Sequence, residues 1–215
     1  MADRPILFSA PMVRALLDGR KTQTRRVLKP PYGTLEWLGN GQWRPIYTKA
    51  FSGDRLWVRE AWRPHYLGDG VWDLDVSYAA DGERRRIYDG EFGEKEWAWP
   101  KAADRGNVSP LHMPRWASRL TLTVIDVRVE RLQDISEADA WSEGCKPGAL
   151  NDRGEPFPAD EPAPDGKGEI GWDCARDWYA DLWDSLHGPD AWDENPWVAA
   201  ISFDVRRGNI DEMPK

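Results

Sequence analysis

The chain has 215 residues, with 29 lysines and arginines against 37 aspartates and glutamates and a formal net charge of −8. That balance excludes a protein that coats nucleic acid nonspecifically, because affinity for phosphate backbones rests on Lys and Arg. No apolar run approaches the ~20 residues of a membrane span, and neither a signal peptide at Met1-Ala2-Asp3-Arg4-Pro5 nor a disulfide framework or zinc ribbon from Cys145 and Cys174 is supported, so a reducing cytoplasm is the expected compartment.

From the N-terminus, Pro5 to Phe8 predicts a first strand. Ser9 then offers an N-cap, Pro11 falls in the first helical turn, and Met12, Val13, Leu16 and Leu17 carry a helical spacing that ends at Gly19. The following strand closes over Val27 to Pro31, because Pro30-Pro31 cannot continue a ladder. Tyr32 to Ser52 is rich in Gly, Pro and polar residues and reads as an insertion or a loose hairpin around Asn40-Gly41. Strands are expected at Arg55–Glu60, Leu74–Ala79 and Arg84–Tyr88, the last two joined at Asp81-Gly82, whereas Asp89 to Asn107 has no period and reads as loop. Leu120 to Val129 is the strongest strand, with Leu120, Leu122 and Val124 facing one way and Thr121, Thr123 and Ile125 the other.

Ser136, with Asp139 three residues on, starts a helix that runs through Glu143 and ends at Gly144. Pro147 to Gly171 has the composition of a flexible loop. Trp172 to Leu186 then places Ala175, Trp178, Tyr179, Leu182, Trp183 and Leu186 on one helical stripe, and Trp197 to Val205 is a last strand. Short strands broken by loops, with no βα rhythm, predict an α+β, β-rich fold: a mostly antiparallel barrel of five to six strands with peripheral helices. The length exceeds what such a barrel needs, so one domain is expected over 1–205, with insertions at about 32–52, 61–110 and 146–171 and a frayed tail over 206–215.

The charge is uneven. Residues 1–30 carry seven basic residues (Arg4, Arg14, Arg20, Lys21, Arg25, Arg26, Lys29) against Asp3 and Asp18, whereas Asp134 to Glu194 is strongly acidic. A local basic site in an acidic body suits a discrete ligand better than a long duplex. The basic residues concentrate in Gly19-Arg20-Lys21-Thr22-Gln23-Thr24-Arg25-Arg26. On an extended segment Thr22, Thr24 and Arg26 share one side, Gln23 and Arg25 take the other, and Lys21 sits at the entry. Hydroxyls beside an amine and guanidinium groups suit phosphate or carbonyl oxygens and can hold an activated nucleophile, so Lys21, Thr24 and Arg26 are expected to open to one cleft.

The 14 tryptophans run from Trp37 to Trp197, and most are expected in the core. Trp57 and Trp62, which flank Glu60, are candidate stacking platforms for a base. Glu60 ends a strand, where a carboxylate accepts from the exocyclic amine of cytosine or pairs with Arg59, Arg63 or Arg115. Arg115 is itself a candidate ligand-binding residue. His65, His112 and His187 lie far apart without metal-ligand spacing, so neither a metal nor a cofactor is expected.

The pattern G-x-K-T-x-T-x-R after an apolar helix, here Gly19, Lys21, Thr22, Thr24 and Arg26, resembles the signature of the ASCH domain, a small β-barrel related to the PUA domains that bind RNA. Gly53-Asp54-Arg55-Leu56-Trp57-Val58-Arg59-Glu60 is similar to that family's G-D-x-L-x-V turn and strand, in the W-V-R-E form of larger, often phage-encoded members. Leu120 to Val129 and the helix Ser136 to Glu143 resemble its long strand and the helix that follows. The resemblance implies a PUA-like barrel that binds a nucleoside, nucleotide or short single-stranded nucleic acid, with no membrane partner. One small ASCH group hydrolyses the amide of 4-N-acetylcytidine with the motif's lysine and threonine and a glutamate from the helix after the long strand. Carried over, these are Lys21, Thr24 and Glu143, with Glu137 a second glutamate of the same helix; Thr22 and Arg26 join them as binding residues. The resemblance also implies two other activities, a non-catalytic RNA or modified-base reader and a metal-independent ribonuclease that uses the same lysine.

The chemistry is consistent. Arg20, Arg25 and Arg26, together with burial, disfavour the charge on Lys21, and a partly neutral amine deprotonates Thr24 or a water. Glu143, near an apolar wall that includes Trp141, passes the proton to the leaving amine, and Arg26 or a backbone N–H stabilises the oxyanion.

Overall fold

The computed structural model describes residues 2–30, 35–39, 42–46, 50–66, 74–88, 100–163 and 166–213. Its first half contains β1 (Asp3–Leu7), α1 (Ala10–Leu17), β2 (Gln23–Val27), β3 (Leu35–Gly39), β4 (Gln42–Pro45), β5 (Arg55–Arg59), β6 (Trp62–Tyr66), β7 (Leu74–Tyr78) and β8 (Arg84–Ile87). The second half contains β9 (Leu120–Arg131), α2 (Glu137–Ser142), β10 (Pro147–Leu150), β11 (Pro156–Pro158), β12 (Glu161–Pro162), β13 (Glu169–Ile170), α3 (Ala175–His187) and β14 (Trp197–Arg207). The fold is α+β and rich in strands, as the short alternating segments require. The chain forms two compact units, each built from separate stretches: Met1–Leu17, Gly53–Thr123 and Asp204–Lys215 make the first, and Asp18–Ser52 with Val124–Phe203 makes the second.

In the first unit β1 runs parallel to β5, from Asp3 opposite Arg55 to Leu7 opposite Arg59, and β5 pairs antiparallel with the start of β9. This sheet ends at β1, with no closure among the described residues. A separate antiparallel meander joins β6, β7 and β8, with Trp62 opposite Tyr78 and Leu74 opposite Ile87. Strand β6 lay inside an expected insertion because Trp-Arg-Pro-His-Tyr has no clean alternation; Pro64 is tolerated because β6 is an edge strand of its sheet. The meander's core gathers Trp62, Val76, Tyr78, Ile87, Val108 and Met113. Much of Asp89 to Asn107 lies outside the described residues, but Lys101–Asp104 forms a turn of 3₁₀ helix. The tail corrects the expectation of fraying: Ile210 is fully buried, and the Asn209 amide donates to the carbonyls of Arg115, Trp116 and Ser118.

In the second unit the sheet runs β9, β14, β2 and ends at β2, which pairs antiparallel with β14 from Val27 opposite Val198 to Gln23 opposite Ser202. Strands β3 and β4 form an antiparallel pair, whose Asn40-Gly41 turn lies outside the described residues. Ser136 caps α2 as its sequence predicts, its hydroxyl accepting from the Asp139 N–H at 3.1 Å. Helix α3 buries Ala175, Trp178, Tyr179 and Trp183 against Leu132, Ile135, Ala140 and Val198. It begins at Ala175 rather than Trp172, because the Glu137 carboxylate accepts from the Ala175 and Arg176 N–H groups at 2.7 and 3.1 Å. The stretch expected as loop over Pro147 to Gly171 carries two short antiparallel pairs, β10 with β11 and β12 with β13. No described helix is long and apolar enough to cross a membrane.

Candidate active site

The second unit draws Lys21 and Glu143 together through the backbone first. Gly19 sits at φ +73°, a conformation that glycine adopts without strain, and the chain turns there toward β2. Lys21 and Glu143 form an isolated antiparallel bridge, the Thr22 N–H donates to the Ser142 carbonyl at 2.9 Å, and the Arg20 guanidinium donates to the Gly144 carbonyl. Two segments 122 residues apart in sequence are thereby locked side by side.

On that frame the Lys21 ammonium donates to Glu143 Oε2 at 2.6 Å and to the Glu143 carbonyl at 2.9 Å. The lysine side chain is 0% exposed and the glutamate's 3%. Arg25 takes the other carboxylate oxygen: its Nη1 donates to Glu143 Oε1 at 3.0 Å and to Gln23 Oε1 at 2.6 Å. Its Nη2 donates to Glu130 Oε1 at 2.7 Å and to Asp139 Oδ2 at 3.3 Å. Gln23 Nε2 in turn donates to Asp139 and to the Ser202 hydroxyl, and Arg128 also donates to Asp139. The buried Arg25 Nε–H has no hydrogen-bond partner among the described residues. An orphaned buried donor costs about 1–3 kcal/mol, so the rest of the cluster must outweigh it.

Burial holds Lys21 below the ordinary lysine range; the Glu143 charge opposes that effect, and the Arg26 and Arg25 charges add to it. Tyr179, whose ring centre lies 5.9 Å from the Arg25 guanidinium, is pushed well above the usual tyrosine range by burial and by the Glu143 charge. An amine with a depressed proton affinity, hydrogen-bonded to a carboxylate in a closed site, is equipped to take a proton and pass it on.

Of the two glutamates near α2, Glu143 meets the lysine, because Glu137 is committed to the start of α3. The expected cleft of Lys21, Thr24 and Arg26 is corrected. Lys21, Gln23 and Arg25 converge on the carboxylates, and the period of two that brings them there turns Thr24 and Arg26 to the opposite face of β2. Thr24 is buried and Arg26 half-buried; burial lowers the proton affinity of His187 in α3, and the Arg26 charge adds to that effect. Thr22 is exposed, and its carbonyl accepts from the Phe203 N–H.

The remaining candidates belong to the first unit, and each is engaged there. Glu60 is 1% exposed and forms a two-pronged pair with Arg119, Nε to Oε1 at 2.9 Å and Nη2 to Oε2 at 3.0 Å. Its partner is thus none of Arg59, Arg63 or Arg115, and a carboxylate so occupied is not free to read a base edge. Burial still pushes Glu60 above the usual carboxylate range, against the pull of Arg119. Trp62 is fully buried, with Trp116 edge-on at 5.9 Å, and is core rather than a stacking platform. Trp57 is also buried, the Arg59 guanidinium 5.2 Å from its ring centre. Arg115 pairs with Asp3 at 2.7 Å and Asp211 at 2.6 Å.

Sequence reasoning missed Arg25 as a site residue although alternation along the motif separates it from Thr24. It also missed Gln23, Glu130, Asp139, Tyr179 and Arg119, whose roles depend on tertiary pairing. Beside Arg119, within the first unit, a cavity of about 300 Å³ is walled mainly by Glu83, Arg85, Arg207 and Glu212. Compared with models of protein families, with curated proteins and with solved structures, the chain matches none.

Proposed function

We propose that the chain is a PUA-like barrel protein of ASCH type that binds a nucleoside, nucleotide or short single-stranded nucleic acid beside Lys21 and hydrolyses the amide of an acylated base such as 4-N-acetylcytidine. The observation that carries the reading is the 2.6 Å contact between the Lys21 amine and the Glu143 carboxylate. The resemblance names those two residues from separate motifs, and they meet in one buried site. In its neutral form Lys21 takes a proton from water, and the resulting hydroxide attacks the acyl carbonyl. A backbone N–H stabilises the tetrahedral oxyanion, since Arg26 lies with Thr24 on the opposite face of β2. Glu143 relays the proton from Lys21 to the exocyclic nitrogen as the C–N bond breaks, giving free carboxylic acid and cytidine. We take water as the nucleophile because Thr24 is turned away from the face that holds Arg25.

A second reading, recognition without chemistry, is favoured by one observation: the Lys21 and Glu143 side chains are 0% and 3% exposed and already satisfy each other. The deciding experiment follows acid release from acylated cytidines of several chain lengths, alongside binding and cleavage of a short single-stranded RNA. Turnover by the wild type that disappears in Lys21→Arg supports the hydrolase, since a guanidinium stays protonated at any accessible pH. Retention of turnover in Thr24→Val assigns the nucleophile to water, and its loss assigns it to the hydroxyl. Binding with no turnover of either substrate favours the reader, and RNA cleavage alone favours the ribonuclease.

A further inference from the structure

We propose that Arg25 is a positioning residue for Lys21: as the permanent counter-ion of Glu143, it lets the lysine amine give up its proton without leaving a bare carboxylate buried beside it. The inference rests on the reading of Lys21 as the base and deepens it. A buried lysine–glutamate pair standing alone is locked in its charged form, because removing the ammonium proton strands the carboxylate in a low-dielectric interior. Here the carboxylate is divided. Oε2 faces Lys21 at 2.6 Å and Oε1 faces Arg25 at 3.0 Å. When the ammonium releases its proton to solvent, Glu143 remains ionised and paired with a guanidinium that does not titrate.

The surrounding geometry holds Arg25 in that role. Its side chain is 0% exposed, and contacts to Gln23, Glu130 and Asp139 fix both terminal nitrogens of the guanidinium plane. The charged and titratable groups packed around the pair are Arg25 and Arg26 from β2, Asp139 and Glu143 from α2 and its end, Arg128 and Glu130 from β9, and Tyr179 from α3, with His187 beside Arg26. Among them Arg25 is the cation that touches the same carboxylate as Lys21.

The test needs no turnover. The full chain carrying ¹³C-labelled lysine is titrated by NMR, with the Lys21 signal identified by its loss in Lys21→Arg. We expect the wild-type midpoint to lie below that of ordinary lysine, Arg25→Gln to raise it by about one pH unit or more, a tenfold rise in proton affinity, and Arg25→Lys to keep it low. A folded Arg25→Gln protein whose Lys21 midpoint is unmoved overturns the proposal, because a merely structural Arg25 changes stability and not this titration. Should Arg25→Gln not fold, the Glu143 carboxyl carbon of the wild type decides. The proposal requires the ionised signal on both sides of the Lys21 midpoint, and a protonated signal while Lys21 is neutral overturns it. A wild type that turns over no acylated cytidine yet shows these shifts sinks the hydrolase and leaves the positioning role standing. Turnover with an unmoved midpoint in Arg25→Gln does the reverse.

Discussion

Arg119 in the first unit and Lys21 in the second are both cations buried against a glutamate, with a salt-bridge distance of 2.9 Å in one case and 2.6 Å in the other. They differ in what surrounds them. Arg119 is a single, permanently charged centre that gathers Glu60, Asp81 and Glu83 and lies 4.1 Å from the Tyr78 ring centre. Three carboxylates there share one guanidinium, whose charge is fixed. At Lys21 the arrangement is inverted: one carboxylate, Glu143, is shared by two cations, of which one titrates. A fixed cation with several dependent anions braces a fold, whereas a titratable cation beside a doubly compensated anion can change protonation state.

That contrast is broken most directly by removing each cation. Arg119→Met leaves Glu60, 1% exposed, without its partner. Breaking a buried pair in this way costs about 3–5 kcal/mol, read as a fall in the urea midpoint at unchanged slope. Lys21→Met should cost less, about 2 kcal/mol, because Glu143 keeps Arg25 on its carboxylate while losing the Lys21 bonds to its Oε2 and its carbonyl. If the two variants lose equal stability, Arg25 does not compensate Glu143 and the distinction between brace and switch fails.

The same contrast shows what was legible in the sequence. Strand and helix positions were largely readable, because alternation in Leu120 to Val129 and the apolar stripe of Trp178, Tyr179 and Trp183 are local signals. The pairing of Lys21 with Glu143 was readable only through the family resemblance, since nothing local links residues so distant in the chain. The resemblance places the third residue at Glu143 and leaves Glu137 as a second glutamate of the same helix; the structure gives Glu137 a separate task, capping the start of α3. Glu60 was misread for a related reason. Sequence offers Arg59 and Arg63 as neighbours, whereas strand pairing brings Arg119 to it from 59 residues away. Trp62 looked like a stacking face because an indole next to a polar residue has no local mark that separates platform from core. The barrel stays an expectation: β1 and β2 end the sheet of their respective units.

Asn209 sharpens the picture of bracing in the first unit at a smaller scale. Its amide nitrogen is shared among the carbonyls of Arg115, Trp116 and Ser118 at 2.8, 3.1 and 2.9 Å, so it holds the approach to Arg119 without any charge. Asn209→Ala leaves those acceptors without their donor and should lower stability by about 1–2 kcal/mol, measured by thermal or urea unfolding. Asn209→Asp should do no better, since a carboxylate supplies no donor. A neutral outcome for both variants would restore the view of this tail as frayed.

The smallest effect is expected at Asp3, where solvent reaches an ion pair of the same unit. Its carboxylate accepts from Arg55 Nε at 2.9 Å, from Arg55 Nη2 at 2.8 Å and from Arg115 Nη2 at 2.7 Å. The Arg55 hydrogen bond leads in lowering its pKa to about 2, with Arg115 assisting against the opposing effect of burial. A carboxylate whose folded value lies below its unfolded one stabilises the fold above the unfolded value, and that stabilisation disappears as pH falls through the folded one. The window therefore runs from about pH 4 down to about pH 2, and solvent screening holds the gain to about 1 kcal/mol. Comparing unfolding midpoints of the wild type and Asp3→Asn across that window isolates the term: the variant should be less stable at pH 5 and should converge on the wild type near pH 2. A difference that stays constant across the window would mean that Asp3 contributes through hydrogen-bond geometry alone, and that charge bracing in this unit is confined to the buried Arg119 cluster.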